Sequence, residues 1–183
     1  SIDFEVYMFN DDAVGQQCIQ ALIHAHQRGV TVRVMVDGVG SPRWHSCAKR
    51  LDHAGVPNKI YHPYPWQWWH WKRSGLKHSW FSVRWARLLT RINRRDHRKM
   101  VVIDQRIAFV GSFNISRCHL SVQAGGLGWC DTAVRLCDED LHPLTEAFQL
   151  SWEQNNITER MHDALRRVKN QPRFRLNNTL QRR

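Results

Sequence analysis

The sequence predicts an α/β fold, and two observations carry this prediction. First, residues 4–9 have the apolar pattern of a strand, residues 13–28 that of an amphipathic helix, and residues 30–36 alternate as a second strand. Strand, helix and strand in this order form the unit that builds a parallel sheet. Second, short apolar runs at 100–103 and 107–110 flank a turn, which predicts a hairpin buried on both faces. The 183 residues suffice for one well-buried domain and are too few for two of ordinary size.

Local signals place the remaining elements. Residues 10–12 supply a polar cap for the first helix, and Gly29 ends it. The apolar face predicted for this helix comprises Val14, Cys18, Ala21, Leu22 and Ala25. Further elements are predicted as a short helix over 46–54, strands over 59–62 and 129–136, and a helix over 141–152.

A constellation of polar residues surrounds the hairpin and predicts a phosphate-handling site. It has the spacing H-x-K-x₄-D-x₆-G-S-x-N and consists of His97, Lys99, Asp104, Gly111, Ser112 and Asn114. In an extended chain residues i and i+2 project to one side, so His97 and Lys99 leave the strand together. Ser112 and Asn114 follow the second strand, where they can meet a phosphoryl oxygen. The plainer alternative is a water-facing histidine and lysine, with Asp104 as an ordinary turn residue.

This six-position pattern resembles the HKD signature of the phospholipase D superfamily. The preceding stretch, an amphipathic helix followed by Val-Arg-Val-Met-Val-Asp-Gly-Val-Gly-Ser, is similar to the segment before the motif in bacterial cardiolipin synthases. The resemblance implies a phospholipase D-like α-β-α sandwich lobe over residues 1–155, with a mixed, largely parallel central sheet. Residues 156–183 are then a basic linker toward a second lobe.

The resemblance also assigns roles within the site. A carboxylate downstream of the motif commonly orients the superfamily's active-site histidine, and Asp131 is the candidate here, with the plainer alternative that it is a strand-start aspartate. Asp104 is expected to brace the turn more than to enter the chemistry. His119 lacks a lysine two residues on and is interpreted as a loop residue. No cofactor and no metal is expected.

The chemistry of the superfamily needs two histidines, one to form a phosphohistidine and one to transfer protons. This chain has one motif, because His142 and His162 lack the following lysine. The resemblance therefore implies half of a cardiolipin synthase-type phosphatidyltransferase, completed by a second HKD lobe or a homodimer partner. Three alternatives stay open: a homodimeric single-motif nuclease, a lipid-hydrolysing phospholipase D, and a catalytically silent lipid-binding lobe.

The net charge of +11 is concentrated in two stretches. Residues 66–99 carry +9 and residues 160–183 carry +7, so the remainder is net acidic. Such localised basic regions suit an anionic partner, either lipid headgroups or nucleic acid, although a solvated basic face is the alternative for the second stretch.

An insert over residues 63–95 holds six of the nine tryptophans. Its aromatic and basic side chains predict an interfacial contact with anionic lipid. The predicted contact residues are Trp66, Trp68, Trp69, Trp71, Trp80, Arg84, Trp85, Arg87 and Arg91. Packing on the core is one alternative, and a stacking platform for single-stranded nucleic acid, considered less favoured, is the other.

The compartment is predicted from what the sequence lacks. No run of 18 uncharged apolar residues is present, and the start on a strand-like pattern suggests a truncated amino terminus without a signal peptide. Five cysteines without C-x-x-C spacing support neither a disulfide framework nor a zinc site. We therefore expect a peripheral protein on the cytoplasmic face of a bacterial inner membrane.

Overall fold

The computed structural model describes residues 1–61, 95–137 and 140–153. These ranges contain one six-stranded sheet, in the order β3-β2-β1-β4-β5-β6, and three α-helices. The strands are β1 (Ile2–Val6), β2 (Val32–Asp37), β3 (Asn58–Tyr61), β4 (Met100–Ile103), β5 (Ile107–Gly111) and β6 (Ala133–Cys137). The helices are α1 (Ala13–Gln27), α2 (Trp44–His53) and α3 (His142–Glu153).

The sheet is mixed, as predicted, but it is not largely parallel. Strand β1 pairs in parallel with β2, and β2 with β3. The other three pairings, β1 with β4, β4 with β5, and β5 with β6, are antiparallel. The three-residue connection between β4 and β5 leaves no room for a crossover, so that pair can only be antiparallel. The α/β class is confirmed, and the expectation of a largely parallel sheet is wrong.

Helices cover both faces of the sheet, which confirms the α-β-α layering. One face packs its buried residues against α1 and α2, and the other packs against α3. The first face includes Phe4, Val6, Val34 and Val36, with Ile19, Leu22, Trp44 and Leu51 from the helices. The second includes Met35, Met100, Val102 and Ala108, with Leu141 and Phe148 from or beside α3.

Helix α1 begins where the cap predicts. The Asp12 carboxylate accepts hydrogen bonds from the Val14 and Gly15 backbone N–H groups, at 3.0 and 3.1 Å. A Cβ atom at Gly15 would lie 1.9 Å from the Asn10 carbonyl oxygen, so only glycine fits there. The predicted apolar face is partly wrong, because Ala21 is exposed while Gly15, Leu22 and two others are buried. The buried set is Gly15, Ile19, Leu22 and Ala25.

Most other boundaries shift by one or two residues, while two strands differ more. Strand β1 ends at Val6, and Phe9 forms only an isolated bridge with Ile115. Strand β6 begins at Ala133, four residues later than predicted. The tryptophan-rich insert and the basic linker at 156–183 lie outside the described residues. Within the described ranges, no helix has the length and apolarity needed to cross a bilayer.

Candidate active site

The motif residues gather at one edge of the sheet because of its topology. His97 and Lys99 precede β4, whereas Ser112 and Asn114 follow β5. Because these strands are antiparallel, the start of one lies beside the end of the other. The carboxyl ends of the parallel strands β1 and β2 reach the same edge, which is where open α/β sheets commonly bind ligands.

His97 and Lys99 are in direct contact, in agreement with the i, i+2 argument. The Lys99 Nζ lies 3.1 Å from His97 Nδ1 and donates to the His97 carbonyl oxygen at 2.7 Å. The Tyr7 ring, just past β1, packs on both: its centroid lies 4.4 Å from that of His97 and 5.2 Å from Lys99 Nζ. Because an ammonium can only donate, Nδ1 is the accepting nitrogen, and a neutral His97 ring carries its proton on Nε2.

The surroundings of Lys99 favour loss of the proton from its ammonium group. The residue is only 7% exposed. Burial lowers the pKa of its ammonium group, while the negative charges of Asp131 and Asp96 oppose that shift. A buried cation near two carboxylates is well placed to meet an incoming phosphodiester, since it has given up much of its hydration.

The alternate residues of the same segment form a buried anchor under the site. Arg98 makes two hydrogen bonds to the Asp96 carboxylate, at 2.9 and 2.5 Å, and lies 3.0 Å from Glu5 Oε1. It also donates to the Ser151 hydroxyl and, at 3.2 Å, to the Ala147 carbonyl oxygen, which ties the segment to α3. We call Glu5, Asp37, Asp96 and Arg98 the anchor cluster.

The anchor cluster contains three carboxyl groups and one guanidinium group. This excess of acidic groups affects the pKa of Glu5. Burial raises the pKa of Glu5 to about 9, with Asp96 adding to the rise and Arg98 opposing it. Burial would also raise the pKa of Asp96, but hydrogen bonds from Arg98 and Glu5 hold it below the ordinary value. A protonated Glu5 beside an ionised Asp96 is therefore the state that this cluster favours near neutral pH.

Asp37 joins the anchor cluster to the end of β2. Its carboxylate accepts backbone hydrogen bonds from Val39 and Gly40, at 2.8 and 3.0 Å, and from Asp96 at 2.9 Å. Burial raises the pKa of Asp37, and these three N–H groups counteract the rise. The segment that carries His97 is thus fixed to the end of β2 immediately before His97 and Lys99.

Ser112 and Asp131 meet at the end of β5. The Ser112 hydroxyl donates to Asp131 Oδ1 at 2.6 Å, and the other carboxylate oxygen, Oδ2, lies 2.6 Å from His119 Nδ1. The Ser112 hydrogen bond, helped by the charges of His119 and Lys99, lowers the pKa of Asp131 although partial desolvation raises it. Asp131 is therefore ionised at neutral pH.

The tautomer of His119 follows from its two neighbours. The Asn114 backbone N–H donates to His119 Nε2 at 3.2 Å, so Nε2 accepts and the ring proton of a neutral His119 lies on Nδ1, toward Asp131. The Trp129 ring packs edge-on against His119, with 5.9 Å between centroids. His119 thus connects the two ends of the loop that follows β5.

The contacts bear on two expectations about individual residues. The pairing of Asp131 with His97 stays a prediction, since the contacts of the Asp131 carboxylate in this lobe are with Ser112 and His119. Asp104 lies in the β4–β5 turn with a positive φ of 52°, and its carboxylate contacts the amino group of Ser1. It lies at the far end of β4 from His97, as expected for a residue that shapes the turn.

The sequence motif does not predict the contacts that Asn114 and His119 make. The Asn114 side-chain oxygen accepts from the Met8 backbone N–H at 3.1 Å, so its amide group is left as the donor. The sequence interprets His119 as a loop residue because it lacks a lysine two residues on, and the eleven residues that separate it from Asp131 carry no periodicity. The predicted lipid-contact residues between Trp66 and Arg91 lie outside the described ranges.

The comparisons with known proteins identify the family of this chain. The family model described as "Cardiolipin synthase, PLD-like domain" matches residues 1–124. The chain belongs to this family. It is 30% identical over 155 residues to a cardiolipin synthase of Clostridium perfringens, covering 85% of this chain and 29% of that protein. It is 39% identical over 136 residues to cardiolipin synthase B of Escherichia coli, covering 74% of this chain and 28% of that protein.

Solved structures support the fold of this cardiolipin synthase-like domain. The phospholipase D family member NUC from Salmonella typhimurium matches with a TM-score of 0.54 at 18% identity, covering 84% of this chain and 78% of that one. NucT from Helicobacter pylori matches with a TM-score of 0.53 at 16% identity, covering 83% and 78%. The chain spans less than a third of the length of the curated relatives above.

Proposed function

We propose that this lobe is one half of a cardiolipin synthase-type phosphatidyltransferase, which moves a phosphatidyl group between phospholipids through a phosphohistidine. The observation that supports it most is the contact between His97 and Lys99 at the ligand-binding edge of a cardiolipin synthase-like domain. The site holds one motif histidine, so a second lobe must supply the other. That lobe belongs either to a longer form of this chain or to a second copy of it.

The proposed reaction has two displacements. In the first, a nitrogen of His97 forms a bond to phosphorus, the P–O bond to the headgroup alcohol breaks, and the second histidine gives that alcohol a proton. In the second, a hydroxyl of the acceptor lipid attacks phosphorus, its proton passes to the second histidine, and the P–N bond breaks. With phosphatidylglycerol as both donor and acceptor, the products are cardiolipin and glycerol.

Lys99 has two successive partners in this proposal. Before substrate binds, it donates to His97 Nδ1, which places the ring proton on Nε2. An incoming phosphodiester offers the ammonium an anionic partner, and Lys99 then turns toward the phosphoryl oxygens. This frees Nδ1 to take the ring proton and leaves Nε2 able to attack. Through both displacements the ammonium charge stabilises the negative charge that builds on phosphorus.

Ser112, Asn114 and Asp131 complete the phosphate environment. The Asn114 side-chain oxygen is held by Met8, so its amide hydrogens face away from that contact and can donate to a phosphoryl oxygen. Asp131 fixes the Ser112 hydroxyl at the end of β5. Asp131 is thus a positioning residue in this proposal, acting on Ser112 and, by its charge, on Lys99.

The membrane contact is proposed from the insert. We propose that the protein binds peripherally to the cytoplasmic face of the inner membrane through the tryptophans and arginines between residues 66 and 91. Vesicles containing anionic lipid should then bind the protein and shift its tryptophan fluorescence to the blue. Replacing Arg84, Arg87 and Arg91 with Glu should remove most of the preference over neutral vesicles, whereas equal binding of the unchanged protein to both vesicle types would contradict this contact.

The requirement for two lobes is tested by activity and mass together. The 183-residue chain is applied to size exclusion with light scattering, and each fraction is assayed for conversion of phosphatidylglycerol to cardiolipin. Turnover should appear only in species that contain two copies, because a single lobe lacks the second histidine. Full turnover by a strict monomer would overturn the two-histidine proposal. Cleavage of DNA without lipid turnover, weakening steeply with salt, would instead favour the nuclease alternative.

A further inference from the structure

A groove opens beside the active site at the same edge of the sheet. Its volume is about 620 Å³, within the range of small-ligand pockets. It is formed by the segment after β1, the start of α2, the residues after β5, and the loop that precedes β6. The lining residues that matter here are Met8, Asp11, Arg43, Arg117, Leu127 and Trp129.

Three contacts join this groove to the active site. Met8, in its wall, donates its backbone N–H to Asn114 Oδ1 at 3.1 Å. The preceding residue, Tyr7, packs on the His97 ring. Trp129, on the opposite side, packs on His119, which contacts Asp131. A ligand in the groove therefore lies next to the residues that handle the transferred phosphate.

The acidic side chains of the groove already have hydrogen-bond partners, whereas its two arginines have no ion-pair partner among the described residues. The carboxylate of Asp12, which also lines it, already accepts from the backbone N–H groups of Val14, Gly15 and Arg117. Asp11 accepts from the Ser46 hydroxyl. Among the described residues, the exposed guanidinium groups of Arg43 and Arg117 have no carboxylate within ion-pair distance. The available binding groups are two cations and the remaining acceptor sites of Asp11.

The groove also has an apolar lip. Trp129 is 56% exposed and Leu127 is 64% exposed, and both line it. Large apolar side chains beside two unpaired guanidinium groups match an amphiphile whose anionic group adjoins an apolar portion. A free inorganic anion would use the arginines and leave these two side chains in water.

Transfer between two phospholipids brings a second phosphate, which the His97–Lys99 pair does not accommodate. The scissile phosphate of the donor occupies that pair, whereas the phosphate of the acceptor stays intact and needs its own counter-charge. We propose that the groove binds the headgroup of the acceptor lipid, an inference that rests on the proposed function. Arg43 and Arg117 bind the acceptor's phosphate, and Leu127 and Trp129 cover the start of its acyl portion.

Asp11 adds a preference for a headgroup with more than one hydroxyl. One hydroxyl of a glycerol headgroup attacks the phosphohistidine, and a second can donate to the Asp11 carboxylate. In that attack a new P–O bond forms, the P–N bond breaks, and the hydroxyl proton passes to the histidine of the second lobe. Water, the acceptor in hydrolysis, needs none of these contacts.

The test compares acceptors with and without a phosphate. The complete two-lobe protein is given phosphatidylcholine as donor, with either phosphatidylglycerol or free glycerol as acceptor, and transfer and hydrolysis products are quantified together. The variant Arg43→Gln/Arg117→Gln should raise KM for phosphatidylglycerol at least about tenfold, because a tenfold loss is what about 1.4 kcal/mol of lost binding produces. Transfer to glycerol and hydrolysis should stay within about twofold of the unchanged protein.

A matched control removes the same charge elsewhere. Arg28 and Arg106 are exposed and lie at the opposite edge of the sheet, at the end of α1 and in the β4–β5 turn. Arg28→Gln/Arg106→Gln should leave KM for both acceptors unchanged. An equal rise of KM for phosphatidylglycerol in both double variants would show that the arginines act only by general attraction to anionic lipid. That result would overturn the acceptor site. A parallel fall of transfer to both acceptors and of hydrolysis would overturn it too.

Failure of the proposed function gives a different result. If the unchanged two-lobe protein hydrolyses phospholipid but transfers to neither acceptor, the transferase proposal is wrong and the acceptor site falls with it. If transfer proceeds normally and the groove variant keeps its KM for phosphatidylglycerol, only the acceptor site is wrong.

Discussion

The segment from Asp96 to Lys99 has two sides with opposite properties. His97 and Lys99 lie on the side of Tyr7, where we propose that the substrate binds, and their mutual contact is one that an incoming anion can replace. Asp96 and Arg98 lie on the other side, in a cluster that includes Glu5, only 2% exposed, and the end of β2. The alternation of an extended chain thus separates the pair that we propose to react from the residues that hold the segment in place. Changes to the first pair should affect chemistry, and changes to the second should affect stability first.

The largest expected effect comes from the reacting side. His97→Ala in the complete protein should lower transfer by at least about 1000-fold, the scale of a lost nucleophile or proton-transfer residue. Lys99→Ala should lower it by about 100-fold, because charge on phosphorus is no longer neutralised. Initial rates of cardiolipin formation measure both. Urea midpoints should stay close to the unchanged protein, and a large loss of stability in either variant would contradict the division between the two sides.

The next effect should come from the anchoring side. Arg98→Met leaves the Glu5 and Asp96 carboxyl groups without their cation, and a broken buried pair costs about 3–5 kcal/mol. Because the Arg98 side chain is 39% exposed, we expect a smaller loss, about 2 kcal/mol in the free energy of unfolding. Equilibrium unfolding in urea measures this loss. Arg135→Met, at an exposed position of the edge strand β6, is the control and should change stability by less than about 0.5 kcal/mol.

A moderate effect is expected at His119, which contacts Asp131 and belongs to neither side of the segment. His119→Ala removes the ring that contacts Asp131 Oδ2 and that accepts a hydrogen bond from the Asn114 N–H, and such a hydrogen bond is worth about 1 kcal/mol. The rate of transfer should fall about tenfold while the protein stays folded. Asp131→Asn should fold normally and be similarly slow. His53→Ala on the exposed face of α2 serves as the control, and full activity of His119→Ala would show that the loop holds its shape without this contact.

The last expected effect is the pH dependence of the anchoring side. The pKa of Glu5 is raised in the folded state to about 9, so the folded protein binds a proton that the unfolded chain has released. Stability from this group is complete below the unfolded pKa of 4.5 and decreases as pH rises toward about 9. Glu5→Gln should flatten this decrease between pH 6 and pH 9. Asp96, whose pKa is lowered, acts only in acid and leaves this window unaffected.

The parts of the site that the sequence predicts are those with a fixed local geometry. The contact of His97 with Lys99 follows from the two-residue period of an extended chain, and the position of Ser112 follows from a hairpin with a short turn. The resemblance to the superfamily supplied the layering of the fold. The anchor cluster was not predicted, because Glu5 on β1 and Asp37 on β2 meet residues 96 and 98 only once the strand order is known.

One expectation is wrong, and one contact is missing from the prediction. The first strand, helix and strand form a parallel unit and so predict a largely parallel sheet, but the direction in which β4 enters depends on a segment without strand periodicity. The contact of Asp131 with His119 is not predicted, because it depends on a loop with two short 3₁₀ turns, Arg117–His119 and Val122–Ala124, whose path no pattern specifies.

We propose that the imidazole of His97 reacts with phosphorus, and mapping the covalent intermediate is the sharpest test of this role. The complete protein is mixed with phosphatidylglycerol, quenched at alkaline pH within milliseconds to preserve a phosphoramidate, digested, and examined by mass spectrometry. We expect a phosphatidyl group on the peptide that contains His97, and neither label nor transfer in His97→Ala. A phosphatidyl group that remains in His97→Ala, carried by a histidine of the second lobe, would contradict it and make His97 the proton donor to the leaving alcohol.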